Sequence, residues 1–86
     1  HDNVRLGVRL VQKKEGVTIV SVTQKSNAET AGIVKGDLLL SIDGKILTST
    51  EEVLKQLQNK KFNDHSTFHL RRDGKYLNVE VVFNKN

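Results

Sequence analysis

The sequence predicts an α+β domain, mainly β: a small, partly open antiparallel barrel or sandwich of about five strands, capped by two helices. Three observations carry this reading. Apolar residues alternate with polar ones near both ends of the chain, the mark of half-buried strands. Tight-turn dipeptides, Asp43-Gly44 and Asp73-Gly74, sit between apolar runs, as hairpins require. One stretch beginning at Ser49 changes to helical spacing behind a capping pair.

Element by element, residues 4–11 place Val4, Leu6, Val8 and Leu10 at a period of two, which predicts a first strand. The polar turn Lys13-Lys14-Glu15-Gly16 leads into a β-branched run over residues 17–23, a second strand. Ser26 or Asn27 then caps a one-turn helix that Gly32 stops in the left-handed conformation. Gly36-Asp37 turns into the short apolar run 38–42, which suits a buried strand, and Lys45-Ile46-Leu47 is the short arm that returns after Asp43-Gly44. In the next helix, Ser49 and Glu52 have capping-box spacing, and Val53, Leu54 and Leu57 form one apolar stripe. Lys60-Lys61 suits its negative end. Residues 66–72 and 76–83 alternate as a closing hairpin, with room for a bulge in the apolar register.

The composition bounds the function. A chain of 86 residues is one domain, residues 1–86, with 36% hydrophobic residues and a core of Val, Leu and Ile. There is no cysteine, so disulfides and thiolate metal sites are excluded. No run of about 18 apolar residues exists to insert directly into a membrane. Residues 1–20 mix charges with apolar residues, unlike a signal peptide, and the abrupt start His1-Asp2-Asn3 reads as a domain taken from a longer chain. The net charge of +4 comes partly from the pairs Lys13-Lys14, Lys60-Lys61 and Arg71-Arg72, which read first as solvated faces.

Catalysis and nucleic-acid binding are both disfavoured. On a strand, His65 and His69 stand about 13 Å apart at ~3.3 Å per residue, too far to share a metal ion. No serine lies in a Gly-x-Ser-x-Gly turn, and no phosphate-cradling glycine loop is present. The expectation is a non-catalytic module without metal or cofactor. Sheets that bind single-stranded nucleic acid cluster aromatic residues for stacking, whereas Phe62, Phe68, Tyr76 and Phe83 are scattered, so no nucleic-acid partner is expected.

Residues 31–45 (Ala31-Gly32, then Gly36-Asp37, the apolar run, Asp43-Gly44 and Lys45) resemble the signature of bacterial PDZ domains, as does the Arg72-Asp73-Gly74-Lys75 hairpin. The resemblance runs from about Leu6 to Phe83. It implies a PDZ-like fold and a module that binds protein C-termini, or extended hydrophobic segments, by adding a strand to its sheet. Arg5-Leu6-Gly7-Val8 fits the family's carboxylate loop, x-Φ-Gly-Φ. Glycine there would turn backbone N–H groups toward an anion, and Arg5 would add long-range attraction. Val8, Arg9, Leu10 and Val11 would pair with the peptide, with Val8 and Leu10 facing the pocket for its last residue. Thr50, Leu54 and Leu57 would line the helix side. Many animal relatives carry His at the first helix position; Thr50 argues against their Ser/Thr preference and leaves a hydrophobic last residue as the expected ligand.

Blander readings stand beside these. Gly7 would also suit a strand bulge, Thr50 a first turn, Arg5 open solvent, and Leu54 and Leu57 the core. The resemblance further implies the recognition or regulatory part of an extracytoplasmic protease of the HtrA-like, site-2, tail-specific or glycyl aminopeptidase type. The alternative is a groove used internally, docking the parent protease domain or a neighbouring subunit. On this reading Gly7→Val would abolish peptide binding and leave the fold largely intact.

Overall fold

The computed structural model describes residues 5–84. Its elements run β1 (Val8–Lys13), β2 (Gly16–Val22), α1 (Asn27–Ala31), β3 (Leu38–Ile42), β4 (Lys45–Ile46), α2 (Thr50–Gln58), β5 (His65–Arg72) and β6 (Lys75–Val82). All pairings are antiparallel, in the order β1-β2-β3-β5-β6, with the two-residue β4 paired only to β3. This is the expected order of elements, with six strands once the short arm is counted.

Alternation sorts the side chains. Val17 and Ile19 of β2, Leu39 and Ile42 of β3, Phe68 and Leu70 of β5 and Val81 of β6 are buried together. Ala28, Ile33, Leu47, Val53, Phe83 and Leu6 close the core from the helix side and the ends. Phe68 and Phe83 meet at 6.4 Å between ring centroids in a tilted arrangement that suits their quadrupoles.

Three details depart from expectation. The first strand begins at Val8, not at residue 4; Val4 lies outside the described residues, and residues 5–7 form a loop although Leu6 is buried. The β5–β6 hairpin keeps an unbroken register from His65↔Val82 to Arg72↔Lys75, so no bulge is needed there. Irregularities instead fall in β1–β2 between Arg9 and Leu10, where Arg9 pairs with Ser21 and Leu10 with Ile19, and in β3–β5 between Leu39 and Ser41.

The caps follow the sequence closely. Ser26 caps α1, its hydroxyl accepting from the Glu29 N–H, and Gly32 ends it at φ 96°. Ser49 caps α2 by accepting from the Glu52 N–H. The return bond of that box goes one residue further back, because the Glu52 carboxylate accepts from the Thr48 N–H and hydroxyl at 2.6 and 2.8 Å.

Asp37, read as a turn residue, and Arg72, read as half of a solvated pair, prove to be structural. Asp37 is completely buried, and Arg72 grips both of its oxygens at 2.7 Å while also donating to the Gly32 carbonyl at 2.9 Å. The Val34 N–H donates to the same carboxylate at 3.0 Å. Hydrogen bonding to Asp37 holds the Arg72 guanidinium above its already high ordinary pKa, against the opposing effect of burial. Lys60, expected to serve the end of α2, instead reaches Asp43 at 2.5 Å.

Asp43 gives the fold an acid-sensitive joint. Burial alone would raise its pKa, but hydrogen bonds from Lys60, the Thr67 N–H and the Ser66 hydroxyl outweigh this and hold it below the ordinary value. A carboxylate with a lowered folded pKa adds stability above its unfolded pKa, about 4, and that contribution is lost as pH falls through the folded value. Asp43→Asn is therefore expected to destabilise the domain modestly at pH 7. Its deficit should shrink below about pH 4, read as urea midpoints of variant and parent at pH 7 and pH 3.

Candidate functional site

The loop of residues 5–7 is held from one side by its carbonyl groups. The Arg5 carbonyl accepts from the Asn27 side-chain amide at 2.9 Å, that of Leu6 from the Ala28 N–H at 2.9 Å, and that of Gly7 from the Thr23 N–H at 2.8 Å. No peptide bond among the described residues is cis. In a trans peptide unit the C=O and the following N–H point in opposite directions. Pinning three successive carbonyls toward α1 and Thr23 therefore aims the N–H groups of Leu6, Gly7 and Val8 the other way. Consecutive N–H groups held like this form a concavity suited to an anion.

Gly7 is required for two separate reasons. Its φ of 87° lies in the left-handed region that disfavours side chains. A Cβ there would collide with the Ser26 Cβ and stand 2.9 Å from the Ser26 hydroxyl. Gly7 precedes β1 rather than forming a bulge within it. The expectation that Gly7→Val leaves the fold largely intact is thus corrected: the side chain would strike the residue that caps α1.

Strand β1 follows the loop directly and pairs only with β2, so its other edge is open among the described residues. Val8 and Leu10 are half-buried and pack on the core, whereas Arg9 and Val11 are exposed on the opposite face. Helix α2 lies against β1. Thr50, Leu54 and Leu57 share one of its faces by their spacing, yet their surroundings differ. Val53 is fully buried and Leu57 packs against the core, Thr50 is half-buried, and Leu54 is 54% exposed. The apolar stripe read from the sequence is therefore two faces: Val53 belongs to the core, Leu54 to the open side, and Leu57 touches the core from the boundary. Arg5 is exposed, and the backbone rather than the side chain of this residue is fixed.

The expected residues thus fall on three neighbouring pieces of chain: the loop of residues 5–7, strand β1 with its open edge directly after it, and helix α2 against that strand. Sequence reading missed the residues behind the loop, namely Thr23, Asn27 and Ala28. Asn27 drew notice only as a possible cap, and its pairing with residue 5 crosses 22 positions, which no local pattern announces. Among the described residues the histidines lie on the outer face of β5–β6, where His65 meets Glu80, His69 meets Asn78, and His69 stacks on Tyr76 at 5.8 Å. Among the described residues no group of three His, Cys, Asp or Glu could hold a metal ion.

Comparison with known proteins gives a consistent result. The family model described as PDZ domain matches residues 4–82. The chain is 32% identical over 71 residues to the periplasmic serine endoprotease DegP of Escherichia coli K12, covering 83% of this chain and 15% of that protein. It is also 32% identical over 69 residues to the serine endoprotease DegS of Haemophilus influenzae, covering 80% and 20%. The chain therefore spans about a fifth or less of the curated relatives it matches. Among solved structures, the HtrA-type protease AlgW with a decapeptide superposes with a TM-score of 0.89 at 17% identity, covering 95% of this chain and 29% of that one. The HtrA3 PDZ domain bound to a phage-derived ligand (FGRWV) gives 0.85 at 17% identity, covering 95% and 86%. At these identities the structural likeness speaks to the fold.

Proposed function

The chain belongs to the PDZ family, and from that premise we propose that it is a non-catalytic peptide-binding module reading protein C-termini. The observation that carries this is the loop at residues 5–7, whose three pinned carbonyls leave the N–H groups of Leu6, Gly7 and Val8 facing one place beside an open strand edge. A peptide carboxylate would accept from those groups, in charge-assisted hydrogen bonds stronger than neutral ones. The chain behind it would pair with Val8, Arg9, Leu10 and Val11 and place alternate side chains toward Thr50, Leu54 and Leu57. Apolar Val8, Leu10 and Leu57 at the base favour a hydrophobic last residue, in keeping with the ligand of the HtrA3 domain, whose final residue is valine.

Likeness to DegP and DegS supports a role as the substrate-recognition or regulatory part of a larger bacterial protease acting outside the cytoplasm. The alternative, a groove that docks the parent protease domain or a neighbouring subunit, has the same geometry and differs in its response to free peptide. No helix among the described residues is long and apolar enough to cross a membrane.

The test is an NMR titration of the labelled domain with hydrophobic-ended peptides, each made with a free and an amidated C-terminus. Shifts at residues 6–11 and 50–58 that require the free carboxylate are expected. Equal shifts with both forms would overturn C-terminal reading in favour of internal segments, and no shift with either would favour the docking alternative.

Leu54→Ala separates binding from folding. Leu54 is largely exposed, so its removal should change stability by no more than about 0.5 kcal/mol. Peptide affinity should fall about four- to fifteenfold, since each of the two lost methyl groups that a ligand buries contributes ~0.8 kcal/mol. Leu57→Ala, at the core boundary, should lower both. Isothermal titration alongside urea unfolding reads the two effects.

A further inference from the structure

We infer that Asn27 is a positioning residue for the carboxylate loop, and that it makes the loop's geometry depend on the backbone just beyond β6. This rests on the reading of residues 5–7 as an anion-binding loop and names a residue and a route that govern it. Asn27 is only 7% exposed. Its amide nitrogen donates to the Arg5 carbonyl at 2.9 Å and to the Asn84 carbonyl at 3.1 Å, while its oxygen accepts from the Asn84 N–H at 3.1 Å. Reversing the amide would set its oxygen against two carbonyls, so the orientation is fixed by its partners.

The consequence follows from peptide geometry. The Arg5 carbonyl and the Leu6 N–H belong to one planar unit, so the side chain that sets the first sets the second. The other two units of the loop are tied by backbone, through Ala28 and Thr23. The first N–H alone is aimed by a side chain, and that side chain is itself clamped from both sides by the main chain of Asn84. The stretch around it is also tied down, since the Phe83 N–H donates to Asp64 at 3.0 Å and the Phe83 carbonyl accepts from Asn63 at 2.7 Å. A displacement of the backbone at residue 84 would thus move Asn27, turn the first peptide unit and detune the anion site from outside the groove.

Two variants, Asn27→Ala and Asn84→Pro, test this in the 86-residue chain. Proline at 84 removes the N–H that Asn27 accepts, which also donates to the Val82 carbonyl at 3.1 Å, and leaves residues 5–11 and 50–58 unaltered. The readout is the ratio of affinities for one hydrophobic-ended peptide in free-acid and amidated form, with thermal midpoints measured in parallel. Asn27→Ala should lower the ratio about tenfold, the order of one hydrogen bond to a charged group, with little change for the amidated peptide. Asn84→Pro should lower it in the same sense, and should add nothing in the Asn27→Ala background. An Asn27→Ala variant that weakens both peptides equally, or neither, overturns the positioning role. An unchanged ratio in Asn84→Pro overturns the link beyond β6, and that variant decides the matter if Asn27→Ala does not fold. A parent domain that binds both peptide forms alike would instead remove the carboxylate reading, and this inference with it.

Discussion

Arg72→Leu is expected to lower stability by about 3–5 kcal/mol, the usual cost of stranding a buried charge by removing its partner. Asp37 has no exposed surface and holds a carboxylate whose two oxygens face Arg72 at 2.7 Å. Without the guanidinium, the Val34 N–H remains as its nearest donor among the described residues. For a domain of this size such a loss lowers the thermal midpoint by roughly 15–30 °C and approaches the whole of an ordinary stability. The effect should be electrostatic rather than steric. Adding Asp37→Leu to Arg72→Leu should recover a substantial part, since apolar replacements of buried pairs are often tolerated. The recovery should stay incomplete because the Val34 N–H then loses its acceptor. Urea unfolding of parent, single and double variants measures all three quantities. A single variant within 1 kcal/mol of the parent would show that the pair contributes little.

Gly7→Val is expected to abolish peptide binding and to destabilise the fold by about 2–6 kcal/mol together. Left-handed backbone at a β-branched residue costs on the order of 1–3 kcal/mol, and overpacking typically adds 1–3 kcal/mol. The obstacle is Ser26, whose hydroxyl caps α1 by accepting from Glu29 at 3.1 Å, so relief of the collision would disturb the cap. Chemical-shift changes in the apo variant should extend to residues 26–32 rather than remain at the loop. A variant that keeps parental stability and still loses binding would contradict the clash; one that binds normally would remove Gly7 from the site.

The order of elements was legible because each depends on local chemistry: alternation for β1, β2, β5 and β6, glycine-bearing turns at Asp43-Gly44 and Asp73-Gly74, and serine caps at Ser26 and Ser49. What escaped were interactions between distant positions. Arg72 beside Arg71 looks like one solvated pair, yet β5 turns Arg72 toward the buried Asp37 and Arg71 toward the exposed ring of Tyr76. Residue 37 lies 35 positions away, and nothing local marks it as buried. In the candidate site, the loop and strand were visible as a glycine among alternating apolar residues. The helix face was blurred, because Val53, Leu54 and Leu57 have the same apolar character and differ only in what lies above them.

The open edge of β1 has a cost that its charges address. A strand edge left unpaired is a template for another copy of itself, the geometry from which edge-to-edge aggregation grows. Along this edge Arg9 and Lys13 are exposed, with Lys14 in the turn beyond. A second copy approaching edge to edge brings the same cations against these, in a molecule already at +4. On the proposed reading these basic residues would act as gatekeepers, disfavouring the pairing of identical edges while an acidic-ended chain would meet no such barrier.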